Sequence, residues 1–221
     1  MRSNIVELVK NKQLDVVFTR AEALAAGLTA AQLRGKSVDV VFRGVYCLAG
    51  RAAEPAIRAV AAVKAAGPEA LVCETTALSL MGVALPSDDL LKTVHVWVPA
   101  CAGPRMPGIR VHRDELRLPF RQLSDALLAA NPAECWLQAA ATLPVRDLVV
   151  LAEGLTRGGD PILSLDDLRN VLVDATGRRG VRIARKALSL VDSTATKIAN
   201  SLPVKDVQRD WLANSGSIRD I

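Results

Sequence analysis

The side chains with chemistry to offer lie in three places. His95 and His112 fall on two alternating segments, Lys92-Thr93-Val94-His95-Val96-Trp97-Val98 and Ile109-Arg110-Val111-His112-Arg113, and as neighbouring strands these would turn the imidazoles toward each other. Two imidazoles can ligate a transition metal, but no carboxylate or thiol stands at metal-binding spacing from them, so the pair reads as structural. Paired acids occur at Asp114-Glu115 and Asp166-Asp167, where turns or helix caps account for them. Arg20, Arg34, Lys36 and Arg43, with Thr29 and Gln32 among them, concentrate hydrogen-bonding and cationic groups near the start of the chain. A second basic stripe, Arg178, Arg182 and Lys186, repeats at i, i+4, i+8 on a later helical pattern. With no glycine-rich phosphate loop, GxSxG or HExxH, the sequence assigns no catalytic residue, no metal and no cofactor.

The distribution of charge points the same way as the basic clusters. The net charge of +5 is unevenly spread: residues 1–50 hold seven Lys/Arg against four Asp/Glu, residues 51–175 twelve against fifteen, and residues 176–221 nine against four. The two ends are basic and the middle is acidic. A basic patch is the footprint expected of phosphate binding, because each neutralised phosphate releases counterions.

The N-terminal cations need elements to hold them. Ile5, Val6, Leu8 and Val9 favour a first helix over about 4–11, and Val16 to Phe18 a short strand. Thr19 and Glu22 form a capping box that starts a helix at Arg20. Gly27 can end it in the left-handed region, and Thr29 caps a second helix to about Arg34, with Leu24, Leu28 and Leu33 placed to meet. Val38, Val40, Val45 and Leu48 then alternate around Phe42-Arg43-Gly44, a β-hairpin that forms the wing.

The order Phe-Thr-Arg-Ala-Glu-Ala-Leu-Ala-Ala-Gly-Leu, then Gln-Leu-Arg, then Phe-Arg-Gly-Val-Tyr-Cys-Leu-Ala-Gly resembles the N-terminal winged helix of AbiEi-type antitoxins and transcriptional regulators of type IV toxin-antitoxin systems. The resemblance implies a regulator that binds double-stranded DNA, autoregulates its operon and has a cognate nucleotidyltransferase-type toxin as partner. The second helix would enter the major groove, where Gln32 would meet adenine or phosphate and Arg34 guanine or backbone. Arg20, Lys36 and Arg43 would contact phosphates. An alanine-rich recognition helix leaves few side chains to read bases, which favours shape readout.

Half the residues are apolar, enough to bury a core, while scarce aromatics and abundant alanine favour closely packed helices. The expected class is α+β, mainly helical: a winged helix-turn-helix over 1–50, an α+β domain with a small sheet and a C-terminal helical bundle over 51–192, and a divergent polar tail over 193–221. Helices are expected from Pro55 to Ala66, Glu74 to Gly82, Pro132 to Ala141, Pro144 to Leu155, Ser164 to Asp174 and about Arg178 to Val191, so that the chain past Pro119 is helical for most of what remains. The segment 70–191 also resembles the second domain of actinobacterial AbiEi-type proteins, through Val111-His112-Arg113 and the Gly177-Arg178-Arg179-Gly180 opening of the last helix. Cys47, Cys73, Cys101 and Cys135 lie too far apart for a zinc site or disulfide framework and are expected reduced and buried. Charges near Met1 argue against a secretory signal, and Arg58 and Lys64 break the alanine-rich run, so a cytoplasmic protein without a membrane segment is expected.

Relatives of this architecture often continue into a nuclease-like domain of the very-short-patch-repair type, with a Ser-Pro-x-Glu signature and a carboxylate magnesium site. After Val191 this chain reads Asp192-Ser193-Thr194-Ala195-Thr196-Lys197, with no such pair and no glutamate. The reading is therefore of a non-enzyme, with the remnant of such an endonuclease as the rival.

Overall fold

In the computed structural model the described residues are 5–11, 13–99, 105–113, 119–157 and 160–198, with side chains as far as Asp192. The expectations for Asp114-Glu115, Cys101 and most of the tail lie outside them. Among the described residues the chain is α+β, with eight α-helices and two small sheets.

Helix α1 (Ile5–Lys10) is followed by strand β1 (Val17–Thr19) and helix α2 (Arg20–Ala25). Thr19 caps α2 as its sequence requires: Glu22 N donates to Thr19 Oγ1 at 3.2 Å and Thr19 N donates to Glu22 Oε2 at 2.6 Å. Strands β2 (Val38–Phe42) and β3 (Val45–Leu48) form the expected hairpin, turned at Gly44 with φ of 82°, and β1 adds antiparallel to β3 to give the order β1-β3-β2. One face of this sheet lies on a small core of Ile5, Leu8, Leu14, Phe18, Ala23, Leu28, Leu33 and Val38. Leu24, expected inside, is 45% exposed; the short helix presents Ala23 inward instead.

The other face of the sheet is covered by helix α3 (Pro55–Ala66), whose small side chains let strands approach closely. Val17, Phe42, Val45 and Cys47 thereby join one apolar cluster that continues through Ile57, Val60 and Ala61 into the rest of the protein. Polar contacts seal the seam. Lys64 reaches Asp15 at 3.0 Å and Glu22 at 2.8 Å, and the Arg58 guanidinium stands 5.4 Å over the Phe42 ring.

The second sheet has five strands: β4 (Leu71–Val72), β5 (Val94–Val98), β6 (Ile109–Arg113), β7 (Phe120–Ser124) and β8 (Leu127–Ala130), in the order β6-β5-β4-β8-β7. Strands β5 and β6 are neighbours, as expected, and run parallel. One feature departs from expectation. The β7-β8 hairpin replaces part of the helical region expected after Pro119. Leu127-Leu128-Ala129-Ala130 has helix-forming composition, but Ala129 pairs with Val72 in the buried middle of the sheet, and tertiary burial overrides propensity.

Helix α4 (Glu74–Leu80) follows β4, and four helices complete the chain: α5 (Pro132–Ala139), α6 (Val145–Thr156), α7 (Leu165–Val173) and α8 (Val181–Ile198). The Ser164–Asp167 capping box opens α7. Trp136, fully buried, donates from Nε1 to the Leu148 carbonyl at 2.9 Å and locks α5 to α6. Helix α8 runs past the expected end at Val191 to Ile198. No helix among the described residues is long and apolar enough to cross a membrane.

Candidate functional site

Arg20, Arg34, Lys36, Arg43 and Thr29 are all exposed on the N-terminal unit. Arg20 and Arg43 lie at one end of the small sheet, because Arg20 N donates to the Gly44 carbonyl at 2.9 Å. Arg34 and Lys36 precede β2 and therefore sit at the other end, so the cations flank the hairpin and do not form a single cluster.

The second helix is shorter than expected. Its helical part is one 3-10 turn, Gln32–Arg34, closed by Gly35. Thr29 and Gln32 explain this: Gln32 N donates to Thr29 Oγ1 at 3.3 Å, while Gln32 Oε1 accepts from Thr29 N at 2.8 Å and from Thr29 Oγ1 at 2.9 Å. The reciprocal cap consumes most of the short span before the glycine. It also commits the Gln32 side-chain oxygen to Thr29.

The later basic stripe is broken up. Arg178 lies ahead of α8 and makes a two-point ion pair with Glu134, at 3.1 and 2.8 Å. Arg182 and Lys186 remain exposed on α8. Asp166 pairs with Arg169, and Asp167 serves as the α7 cap, as their sequence positions imply. Cys47, Cys73 and Cys135 are free and buried, and burial pushes the Cys47 thiol up to about 11.

The densest chemistry is a group of three residues, two of which the sequence points to. Strands β5 and β6 pair with His95 opposite Arg110 and Trp97 opposite His112, so His112 stands two residues beyond the partner of His95 and on the same face. The rings meet as expected, His95 Nδ1 to His112 Nε2 at 2.9 Å, with their planes 24° apart. His95 N donates to Thr76 Oγ1 at 2.9 Å, fixing β5 against α4.

Glu74, first residue of α4, completes the group. Its side chain is 2% exposed, and Oε2 lies 2.7 Å from His95 Nδ1 and 3.1 Å from His112 Nε2. Oε1 accepts from Thr142 Oγ1 at 3.3 Å. Oε2 is buried and meets the two imidazoles as ion-pair contacts, with no other donor beside it among the described residues. Burial would raise the Glu74 carboxyl, but His112 and His95 beside it outweigh burial and hold it at about 2, as a carboxylate. Glu74 has φ of +51°, the one left-handed non-glycine residue among those described. Such a backbone costs about 1–3 kcal/mol and persists where surroundings impose it. The ligand-capable atoms of Glu74, His95 and His112 all lie within 4.8 Å of one another, so the three can share one cation. Glu74 was missed because it joins the histidines only through the long-range pairing of β4, β5 and β6; the sequence signal was a glutamate at a strand-to-helix junction, Val72-Cys73-Glu74.

No known protein family matches the chain, and no curated protein matches it in sequence. Among solved structures it is similar to the RV2827C protein from Mycobacterium tuberculosis, at 18% identity over 91% of this chain and 80% of that one, with a TM-score of 0.48. That likeness lends nothing to the reading of either site.

Proposed function

We propose that residues 1–50 form a winged helix that binds duplex DNA, and that the protein is a transcriptional regulator of the AbiEi antitoxin type rather than an enzyme. The observation that supports this reading is the N-terminal unit itself: α1, β1, α2, a helical turn and a β2-β3 hairpin, with β3 central in the sheet, leaving Arg20, Arg34, Lys36 and Arg43 exposed around it. Helical elements followed by a paired hairpin are what a winged helix needs to set one element in a groove and a β-arm on the backbone. With the second helix cut to a single turn and the Gln32 oxygen committed, recognition leans on phosphate contacts and groove shape. Autoregulation of its own operon and neutralisation of a nucleotidyltransferase-type toxin are the roles this reading assigns.

The test is fluorescence anisotropy with duplexes from the region upstream of its own coding sequence, in rising salt. Binding whose logarithm falls linearly with log salt supports the reading. Failure to bind those duplexes at low salt overturns it, and cleavage of the duplex in magnesium would favour the endonuclease-remnant rival.

A further inference from the structure

We infer that Glu74, His95 and His112 bind a divalent transition-metal ion with an open coordination position. Three potential donor atoms converge: Glu74 Oε2 to His95 Nδ1 is 2.7 Å, Glu74 Oε2 to His112 Nε2 is 3.1 Å, and the two nitrogens are 2.9 Å apart. Metal–ligand bonds of about 2.1 Å put adjacent ligands roughly 3.0 Å apart in an octahedron and roughly 3.4 Å in a tetrahedron. The triangle of donors therefore matches one octahedral face, and a slight spreading of the side chains admits a tetrahedral ion.

The protein alone does not satisfy this arrangement. Protons on the two ring nitrogens serve at most two of the three short contacts among His95 Nδ1, His112 Nε2 and Glu74 Oε2. A cation above the triangle would answer all three lone pairs at once. Thr142 holds the other carboxylate oxygen, so Oε2 is presented singly. The left-handed backbone of Glu74 adds an independent sign, because strain of that kind collects at ligand-binding positions.

The donor set selects the class of ion. Two imidazoles and one carboxylate suit zinc, cobalt or ferrous iron, whereas magnesium and calcium prefer oxygen donors throughout. Three protein ligands leave a position for water, and His112, 26% exposed, lies on the solvent side of the group while Glu74 closes the inner side.

The experiment is titration of the full-length chain, freed of any polyhistidine tag and stripped with chelator, with Co2+ followed by visible absorption. One Co2+ per chain, with d–d bands that one equivalent of Zn2+ abolishes, supports the site. His112→Ala is partly exposed and expected to fold, which circular dichroism verifies; it should bind about tenfold or more weakly. Glu74→Gln should lose the bands as well, and Cys73→Ser should keep them. No saturable binding, equal affinity in His112→Ala, or bands lost in Cys73→Ser would each overturn the inference.

Discussion

Arg178 grips Glu134 with both ends of its guanidinium, at 3.1 and 2.8 Å, joining the approach to α8 to the first turn of α5. The side chains are 30% and 16% exposed, so the pair is shielded from solvent more than a surface bridge is. Arg178→Ala should lower unfolding free energy by about 1–2 kcal/mol while leaving the salt dependence of the proposed DNA binding unchanged. A flattened salt slope in this variant would return Arg178 to the basic surface.

Gly180 carries a stricter constraint. Its φ is +84°, and a Cβ added there would stand 2.4 Å from the Ala140 carbonyl carbon and 2.6 Å from Ala141 N, both backbone atoms that cannot swing aside. Gly180→Ala should destabilise by about 2–4 kcal/mol, combining left-handed strain with the clash, and chemical denaturation would measure it. A loss within experimental error would mean that α5 and α8 part easily.

For the proposed DNA contact, Arg43 at the hairpin tip offers the cleanest dissection, since it is exposed and its removal disturbs no core. Arg43→Ala should weaken binding evenly across duplex sequences and reduce the slope of log affinity against log salt by about one. If affinity falls for one sequence only, Arg43 reads bases; if nothing changes, the hairpin tip is off the DNA.

Glu22 predicts an acid limb of stability. Partial burial raises its carboxyl, but hydrogen bonds from Lys64 and Thr19 and the Lys64 charge outweigh burial and leave it below its ordinary value. A carboxylate lowered in the folded state stabilises above its unfolded value of about 4.3 and ceases to do so as pH falls through the folded one. The melting-temperature deficit of Glu22→Gln relative to the unaltered chain should therefore be present at neutral pH and shrink below about pH 4. A deficit that is the same at both ends would assign it to the lost Thr19 cap alone.

Local chemistry was the legible part. Thr19 with Glu22, Ser164 with Asp167, Pro55 at the start of α3 and the alternation about His95 each act within a few residues, and each formed. Where partners are distant, sequence misled or fell silent. Leu127 to Ala130 became an interior strand because Val72 awaited it. The Thr29–Gln32 cap, by contrast, is local, yet Thr29 to Arg34 holds only one 3-10 turn. The meeting of His95 with His112 followed from two alternating segments, but the carboxylate between them arrives from another strand's end, and no local spacing announces it.

Helix α3 belongs to both halves of the molecule at once. Cut the chain after Gly50, and Val17, Phe42, Val45 and Cys47, each under a tenth exposed in the intact protein, would face water along one side of a three-stranded sheet. The N-terminal sheet is thus not detachable on its own: a fragment carrying it would need Pro55–Ala66 as its floor, and any expression trial of the N-terminal piece should retain that helix or expect aggregates.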